Sequence, residues 1–221
     1  FNFGMNRRKA AYLPHNMAFP MYYVMDPAIR TDEREKVKAA CKYDAIDFDM
    51  KENTVDFKVG AVVWSTGWTP YDATKIDNLG FGRYQNIVTN MMLERMASAN
   101  GPTGGKILRP SDEKEPETIA FAQCAGSRDE NHLSYCSYIC CMASLKHATY
   151  IRAQYPDAKI YIYYIDLRTP GRKYEKFYAD LKADENIFFI KGKVAEVSEE
   201  TGSSNINLVA EDTISGEKVR Q

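Results

Sequence analysis

The strongest constraint on the fold lies in residues 118–191, where strand-like and helix-like segments alternate. TIAFAQ, KIYIYYID and NIFFIKG are short and apolar, as is typical of buried strands. Between them lie YCSYICCMASLKHATYIRAQY, which stops before Pro156, and GRKYEKFYADLKAD, both with helical character. This alternation predicts a parallel sheet with right-handed crossovers. The second half of the chain is therefore predicted to be a Rossmann-like α/β domain.

The flanking segments have a different pattern. Residues 30–43 favour a short charged helix, and residues 45–68 alternate like a β-hairpin that turns at 51–53 and ends in a buried strand at 61–65. Residues 87–99 predict a helix, and residues 193–221 predict antiparallel strands. A segment rich in Gly, Pro and charge, NGPTGGKILRPSDEKEPE, is the best linker candidate. Two domains are predicted, at residues 1–105 and 106–221.

Charge and hydropathy narrow the class of protein. Lys and Arg number 29 against 30 Asp and Glu, so the composition does not predict nucleic-acid binding. No apolar run is long enough to span a bilayer and no signal peptide opens the chain, which predicts a soluble, cytoplasmic protein without direct membrane insertion. The chain opens on FNFGMN, with no initiator Met, and is expected to be a piece of a longer polypeptide.

Four of the five cysteines crowd into residues 124–141. In a reducing compartment such a cluster favours ligands or redox groups over disulfides. Four thiolates suit a [4Fe–4S] cluster or a closed zinc site, and the spacing C-x11-C-x3-C-C favours the cluster only mildly. The competing interpretation is that these cysteines are small apolar residues of a helix core. Cys124 is predicted at a strand end, and Cys136 and Cys140 one turn apart on the helix.

Other polar residues near the cysteines allow two interpretations each. His132 would hydrogen-bond a cluster sulfur or lie solvated in its loop. Asp166 is interpreted as a cap at the end of the second strand, because the turn after TIAFAQ lacks the GxGxxG of a dinucleotide site. Arg128 and Arg168 would offset cluster charge, anchor loops or lie at the surface.

Several segments together resemble one known family. IAFAQCAGSRDENHLSYCSYICCMASLKHATYIR, YIYYIDLRTPGRKYEKFY, SANGPTGGKILRPSD, VVWSTGWTPYDA and KAAYLPHNMAFP are similar to the A subunit of heterodisulfide reductase. The resemblance is greatest to the related A subunit of the quinone-interacting membrane-bound oxidoreductase (Qmo) complex of sulfate reducers, and it covers essentially the whole chain.

The resemblance implies a fold and two cofactors. The family has a thioredoxin-reductase-like architecture, binds FAD and [4Fe–4S] clusters, and passes electrons between protein partners. Its cysteine motif implies cluster ligation by Cys124, Cys136, Cys140 and Cys141. VVWSTGW resembles the strand followed by ATG with which such flavoproteins return to their FAD domain, although Ser65 replaces the alanine. It implies that Thr66 and Gly67 contact FAD.

The chain also departs from the family pattern. The N-terminal GxGxxG for FAD is absent, and only Cys41 stands where heterodisulfide reductases insert a ferredoxin-type motif, which favours the Qmo relative. We therefore expect no stably bound FAD in this chain, whereas the full-length protein would bind it.

The leading hypothesis is a fragment of an electron-transfer oxidoreductase subunit, inactive by itself, that relays electrons between FAD, a [4Fe–4S] cluster and other subunits of a heterodisulfide reductase or Qmo-like complex, peripheral to a membrane. The alternative is a zinc-stabilised or apo protein-interaction module without redox chemistry. Iron and acid-labile sulfide content distinguishes the two.

Overall fold

The computed structural model describes all 221 residues, and they form two compact units. Unit 1 is residues 6–68 with Phe1, and unit 2 is residues 2–5 with 69–221. The predicted domain boundary at 105/106 falls inside unit 2 and stays a prediction about the parent protein. The helices are α1 (Thr31–Ala40), α2 (Asn90–Ala97), α3 (Cys140–Gln154) and α4 (Tyr174–Lys182). The strands are β1 (Ala11–Tyr12), β2 (Val24–Met25), β3 (Thr118–Ala122), β4 (Lys159–Tyr164), β5 (Ile187–Lys191), β6 (Val194–Glu199), β7 (Ile206–Glu211) and β8 (Lys218–Arg220).

Unit 1 contains little regular structure. β1 and β2 pair antiparallel over two residues each. The predicted charged helix is confirmed as α1, which begins after Arg30 because the Glu33 carboxylate accepts the Arg30 backbone N–H at 3.1 Å. Glu33 also places negative charge at the positive end of the helix dipole.

The predicted hairpin at residues 45–68 is wrong, as is the buried strand at 61–65. This segment forms no strand, and its apolar side chains from Met50 onward are exposed, with Val63 at 85% and Trp64 at 82%. The sequence pattern is that of a strand, but a strand is stable only when a neighbour accepts its backbone hydrogen bonds. No segment of unit 1 provides that neighbour.

The parallel sheet predicted in the second half is confirmed. β3, β4 and β5 are neighbours in that order, with Ile119 opposite Ile160 and Ile162 opposite Phe189. α3 connects β3 to β4, and α4 connects β4 to β5. Ile160 and Ile162 are fully buried. Each contributes roughly 1.5–3 kcal/mol by leaving water.

α3 forms the other half of this core. Its buried side chains Leu145, Ala148 and Ile151 pack with the sheet and with Leu93 and Met96 of α2. The helix predicted at 87–99 is present as α2, which begins three residues later because the Thr89 hydroxyl accepts the Met92 backbone N–H at 3.3 Å. The core therefore holds the whole length of α3 in place relative to the sheet.

The antiparallel tail is also confirmed. β7 lies between β6 and β8, with a bulge between Val194 and Glu196. Val194, Val197 and Leu208 bury their side chains around Tyr163 of β4, which joins this sheet to the parallel one. None of the helices has the length and apolar content needed to cross a bilayer.

Candidate metal centre

The first wall of the candidate site is the turn that leaves β3. Gln123 still donates its backbone N–H to the Tyr163 carbonyl at 3.1 Å, which extends the pairing of β3 with β4. The next residue, Cys124, has a φ of 55°, a left-handed conformation that ends the strand. Cys124 is 5% exposed, at the edge of the sheet as predicted.

A glycine holds this turn against a tyrosine ring. Gly126 has a φ of +78°, and a Cβ placed on it would lie 2.5 Å from Cδ1 of Tyr71. The Tyr71 hydroxyl is 2.7 Å from Nδ1 of His132, farther along the same loop. His132 is therefore engaged with Tyr71, and it does not line the cysteine pocket.

The loop between the turn and α3 carries Cys136, and this corrects the predicted helix. α3 begins at Cys140, so Cys136 and Cys140 are not one turn apart on a helix. Tyr138 has a φ of 64°, which no helix allows, and the Arg128 N–H donates to the carbonyl of Tyr135 at 3.1 Å. These loop contacts outweigh the helical preference of the sequence between residues 135 and 139.

Hydrogen bonds reach the sulfur atoms of this loop and of the helix start. The backbone N–H of Tyr138 donates to Sγ of Cys136 at 3.4 Å, and the Ser137 hydroxyl lies 2.7 Å from Sγ of Cys140. Cys140 is the first residue of α3. It therefore lies at the positive end of the helix dipole.

The four predicted cysteines line one pocket. Its empty space is about 260 Å³, including its open mouth. Cys124 and Cys141 are buried, Cys136 and Cys140 are half-buried, and none forms a disulfide. The other residues that line the pocket are Arg128, Tyr138, Ile139, Asp166 and Arg168. The structure therefore brings together residues from the end of β3, the loop and the start of α3.

The cysteines surround the pocket without meeting at one point. No group of three or more His, Cys, Asp or Glu side chains is placed to hold a single metal ion. Four sulfurs around one zinc ion would each lie about 2.3 Å from it. In a [4Fe–4S] cluster each thiolate binds a different iron atom, so the sulfurs stand farther apart.

Burial disfavours the charged thiolate form of the two buried cysteines. It raises the pKa of Cys124, and the neighbouring thiols Cys140 and Cys141 add to the rise while Arg128 opposes it. Burial likewise raises the pKa of Cys141, and the nearby backbone N–H of Arg168 opposes that rise. Metal binding at such thiols must release protons.

Two arginines and an aspartate lie at the rim. Nη1 of Arg128 is 2.9 Å from Oδ2 of Asp166, and Nη2 of Arg168 is 3.9 Å from the same oxygen. The Asp166 carboxylate, directly beyond β4, thus anchors both arginines beside the cysteines. Its interaction with Asp166 raises the pKa of Arg128, so this guanidinium stays charged.

Gln123, which contacts a pocket cysteine from outside the pocket, is a residue that the sequence reasoning missed. It is 6% exposed, and its Oε1 accepts the thiol of Cys141 at 3.1 Å. Its Nε2 is buried and has no hydrogen-bond partner, which typically costs about 1–3 kcal/mol. Its position beside Cys124 at the carboxyl end of a parallel strand was the available signal.

The predicted FAD contacts lie in unit 1. Thr66 and Gly67 are exposed, and Gly67 has a φ of +70° with nothing within 4 Å of a would-be Cβ. The backbone at these two residues is open to solvent. FAD contact at these residues stays a prediction.

No family model matches the chain, but several curated proteins do. Some of these relatives are named as iron–sulfur subunits of an oxidoreductase. It is 42% identical over 222 residues to the second iron–sulfur A subunit of the CoB–CoM heterodisulfide reductase of Methanopyrus kandleri, covering 100% of this chain and 34% of the relative. Identity to the corresponding A subunit of Methanocaldococcus jannaschii is 40%, covering 99% and 33%.

A third relative is named for its dependence on ferredoxin or F420H2. The A subunit of the ferredoxin/F420H2-dependent CoB–CoM heterodisulfide reductase of Methanosarcina acetivorans is 40% identical over 197 residues, covering 89% of this chain and 25% of the relative. The chain therefore belongs to the family of heterodisulfide reductase A subunits and corresponds to a segment of them, as the sequence motifs predicted. It spans about a third of the length of the first two relatives. The narrower resemblance to the Qmo relative stays a prediction.

Proposed function

We propose that this chain is the cluster-bearing segment of an electron-transfer subunit, with a [4Fe–4S] cluster held by Cys124, Cys136, Cys140 and Cys141. The observation that carries the proposal is the convergence of four free cysteines, from three parts of the chain, on one pocket. Homology to proteins named iron–sulfur subunits supports it.

The donor set suits a cluster better than a single ion. Four thiols surround the pocket, and they are not gathered to the spacing that one zinc ion needs. Four thiolates would bring four negative charges to a half-buried site, and Arg128 and Arg168 line the same pocket. Their guanidinium groups, anchored by Asp166, would offset part of that charge.

When bound, such a cluster would accept and release one electron at a time. The chain's own residues would do the remaining work. Cys124 and Cys141 are buried and would shield one side of the cluster from water, whereas Cys136 and Cys140 lie toward the open mouth. The mouth, rimmed by the exposed Tyr138 and Ile139, is where an electron partner would approach.

We further propose that the electron partners are FAD and other subunits of a heterodisulfide reductase-like complex. The relatives are named as A subunits, which supports further subunits. The Thr66–Gly67 turn would contact the flavin in a protein of the relatives' length. This chain alone contains no GxGxxG turn, so we expect it to release no stoichiometric FAD on denaturation.

The test is reconstitution of the chain with iron and sulfide without oxygen. We expect about four iron atoms and about four sulfides per chain, and a brown colour with absorbance at about 400 nm that bleaches on reduction. Cys140→Ser should lose this absorbance. The matched control is Cys41→Ser, which removes the one cysteine outside the pocket and should retain it.

Thermal unfolding separates ligation from packing. Because thiolate–metal bonds add stability only when the cluster is present, Cys140→Ser should lower the melting temperature of reconstituted protein more than that of metal-free protein. Equal shifts in both forms would indicate that Cys140 only fills the core. Protein that binds zinc and no iron, or no metal, would favour an interaction module instead.

A further inference from the structure

Gln123 contacts Cys141, one of the pocket cysteines, from the buried side that lies behind the pocket lining. Its backbone is fixed by the bond to Tyr163, and its side chain is 6% exposed. The amide oxygen accepts a hydrogen bond from the Cys141 thiol, with Oε1 and Sγ 3.1 Å apart. The amide nitrogen, equally buried, has no partner in the chain.

This arrangement suits a thiol and does not suit a thiolate. A cysteine that binds iron has lost its proton and can only accept hydrogen bonds. The Gln123 oxygen would then face a negatively charged sulfur with no proton between them. The Asp166 carbonyl, 3.6 Å from the same sulfur, is the alternative acceptor of the one thiol proton and would likewise face the thiolate.

Rotation of the terminal amide resolves this conflict. A half-turn about the last side-chain bond exchanges oxygen and nitrogen, which have nearly the same shape. The orphaned N–H2 group would then point at the sulfur. The rotated amide would thus give the Cys141 thiolate a hydrogen-bond donor in place of an acceptor.

We propose that Gln123 donates an N–H hydrogen bond to the Cys141 thiolate in the cluster-bound protein and thereby raises the reduction potential of the cluster. This inference rests on the proposed cluster function and deepens it. Donors to cluster sulfurs stabilise the more negative, reduced state. The effect is strongest in a dry site, and Cys141 is 7% exposed. Gln123 is a positioning residue, since it acts through a cysteine.

The experiment is a redox titration of the reconstituted full chain, followed by EPR. Q123L removes the donor, and its midpoint potential should shift to more negative values with iron content unchanged. Q123E keeps the shape but places a group that accepts hydrogen bonds at the sulfur, so its shift should be larger in the same direction. The matched control is Q154L: Gln154 bonds to Ile107 and Gly105 away from the pocket, and its loss should leave the potential unchanged.

The outcomes separate this inference from the proposed function. Wild-type chain that binds no iron overturns both. Wild-type chain that binds a cluster, with Q123L and Q123E at the wild-type potential, overturns the hydrogen bond alone. If both variants lose iron, the hydrogen bond is tested in wild-type protein labelled with 15N in its glutamine amides. We expect pulsed EPR of the reduced chain to show coupling between a 15N nucleus and the cluster, and this coupling should persist in Q154L. Its absence refutes the proposal.

Discussion

Gly126→Ala is expected to destabilise unit 2 by roughly 2–5 kcal/mol, from two independent costs. The backbone cost arises because Gly126 has a φ of +78°, and the left-handed region costs other residues about 1–2 kcal/mol. The packing cost arises because the new Cβ would lie 2.5 Å from the Tyr71 ring, and overpacking costs roughly 1–3 kcal/mol. Because this turn directly follows Cys124, the substitution should also impair reconstitution with iron.

Two matched variants isolate these costs. Gly104→Ala, at a φ of +65° with nothing within 4 Å, should show the backbone cost alone. The substitution of Gly126 should also fall to that smaller cost in a Tyr71→Ala background, where the ring is gone. Tyr71→Phe keeps the ring and removes only the hydroxyl bonded to His132, so it should leave the full cost in place.

The assay is urea unfolding of the metal-free single and double variants, which gives the coupling energy between positions 71 and 126. We expect a coupling of about 1–3 kcal/mol. An equal cost of Gly126→Ala with and without the ring would refute the packing argument. A cost near zero would refute the turn conformation itself.

Two further predictions concern buried polar groups. His147 is 2% exposed and faces Glu94, Lys146 and Tyr150, and burial lowers its pKa below 6.5. As the pH falls, the unfolded chain therefore binds the imidazole proton before the folded chain does, and the free energy of unfolding decreases. Between about pH 7.5 and pH 5.5, urea unfolding should show a decrease about 1 kcal/mol larger in wild type than in H147Q. An equal fall in both proteins would contradict this. Burial raises the pKa of Tyr163 to about 12 and leaves its hydroxyl without a partner. Tyr163→Phe should therefore leave the free energy of unfolding unchanged or raise it by up to about 1 kcal/mol. The control Tyr155→Phe removes a 2.8 Å hydrogen bond to the Ile107 carbonyl and should lower it. A clear loss of stability in Tyr163→Phe would refute the conclusion that the Tyr163 hydroxyl has no partner.

The parallel sheet was predictable because its evidence is local. Each strand is a short apolar run, each connection has the length of a helix, and their alternation permits few topologies. The helix start was mispredicted because residues 135–139 take their conformation from contacts with Arg128, which lies seven or more positions earlier. Sequence periodicity does not contain such contacts.

The four candidate ligands could be predicted from the sequence, but the glutamine that contacts one of them could not. The four cysteines are recognisable by residue type and spacing, and the structure places all of them at one pocket. Gln123 was missed because glutamine carries no signal of its own, and its role depends on which sulfur it faces. The strand at 61–65 was mispredicted for a related reason: an apolar pattern shows that a segment prefers burial, but not where its partner is.

The exposed segment in unit 1 has a consequence for handling the protein. From Val55 to Val59 apolar side chains alternate with Asp56 and Lys58, whose charges oppose the stacking of identical segments. Residues 61–64, AVVW, carry no charge and no proline. Unpaired β-prone segments of this kind template intermolecular strands, so concentrated samples of the chain should aggregate from this short stretch first. Val63→Lys would place a charge in this stretch that opposes strand stacking, and it would leave the sequence of unit 2, which carries the four pocket cysteines, unchanged.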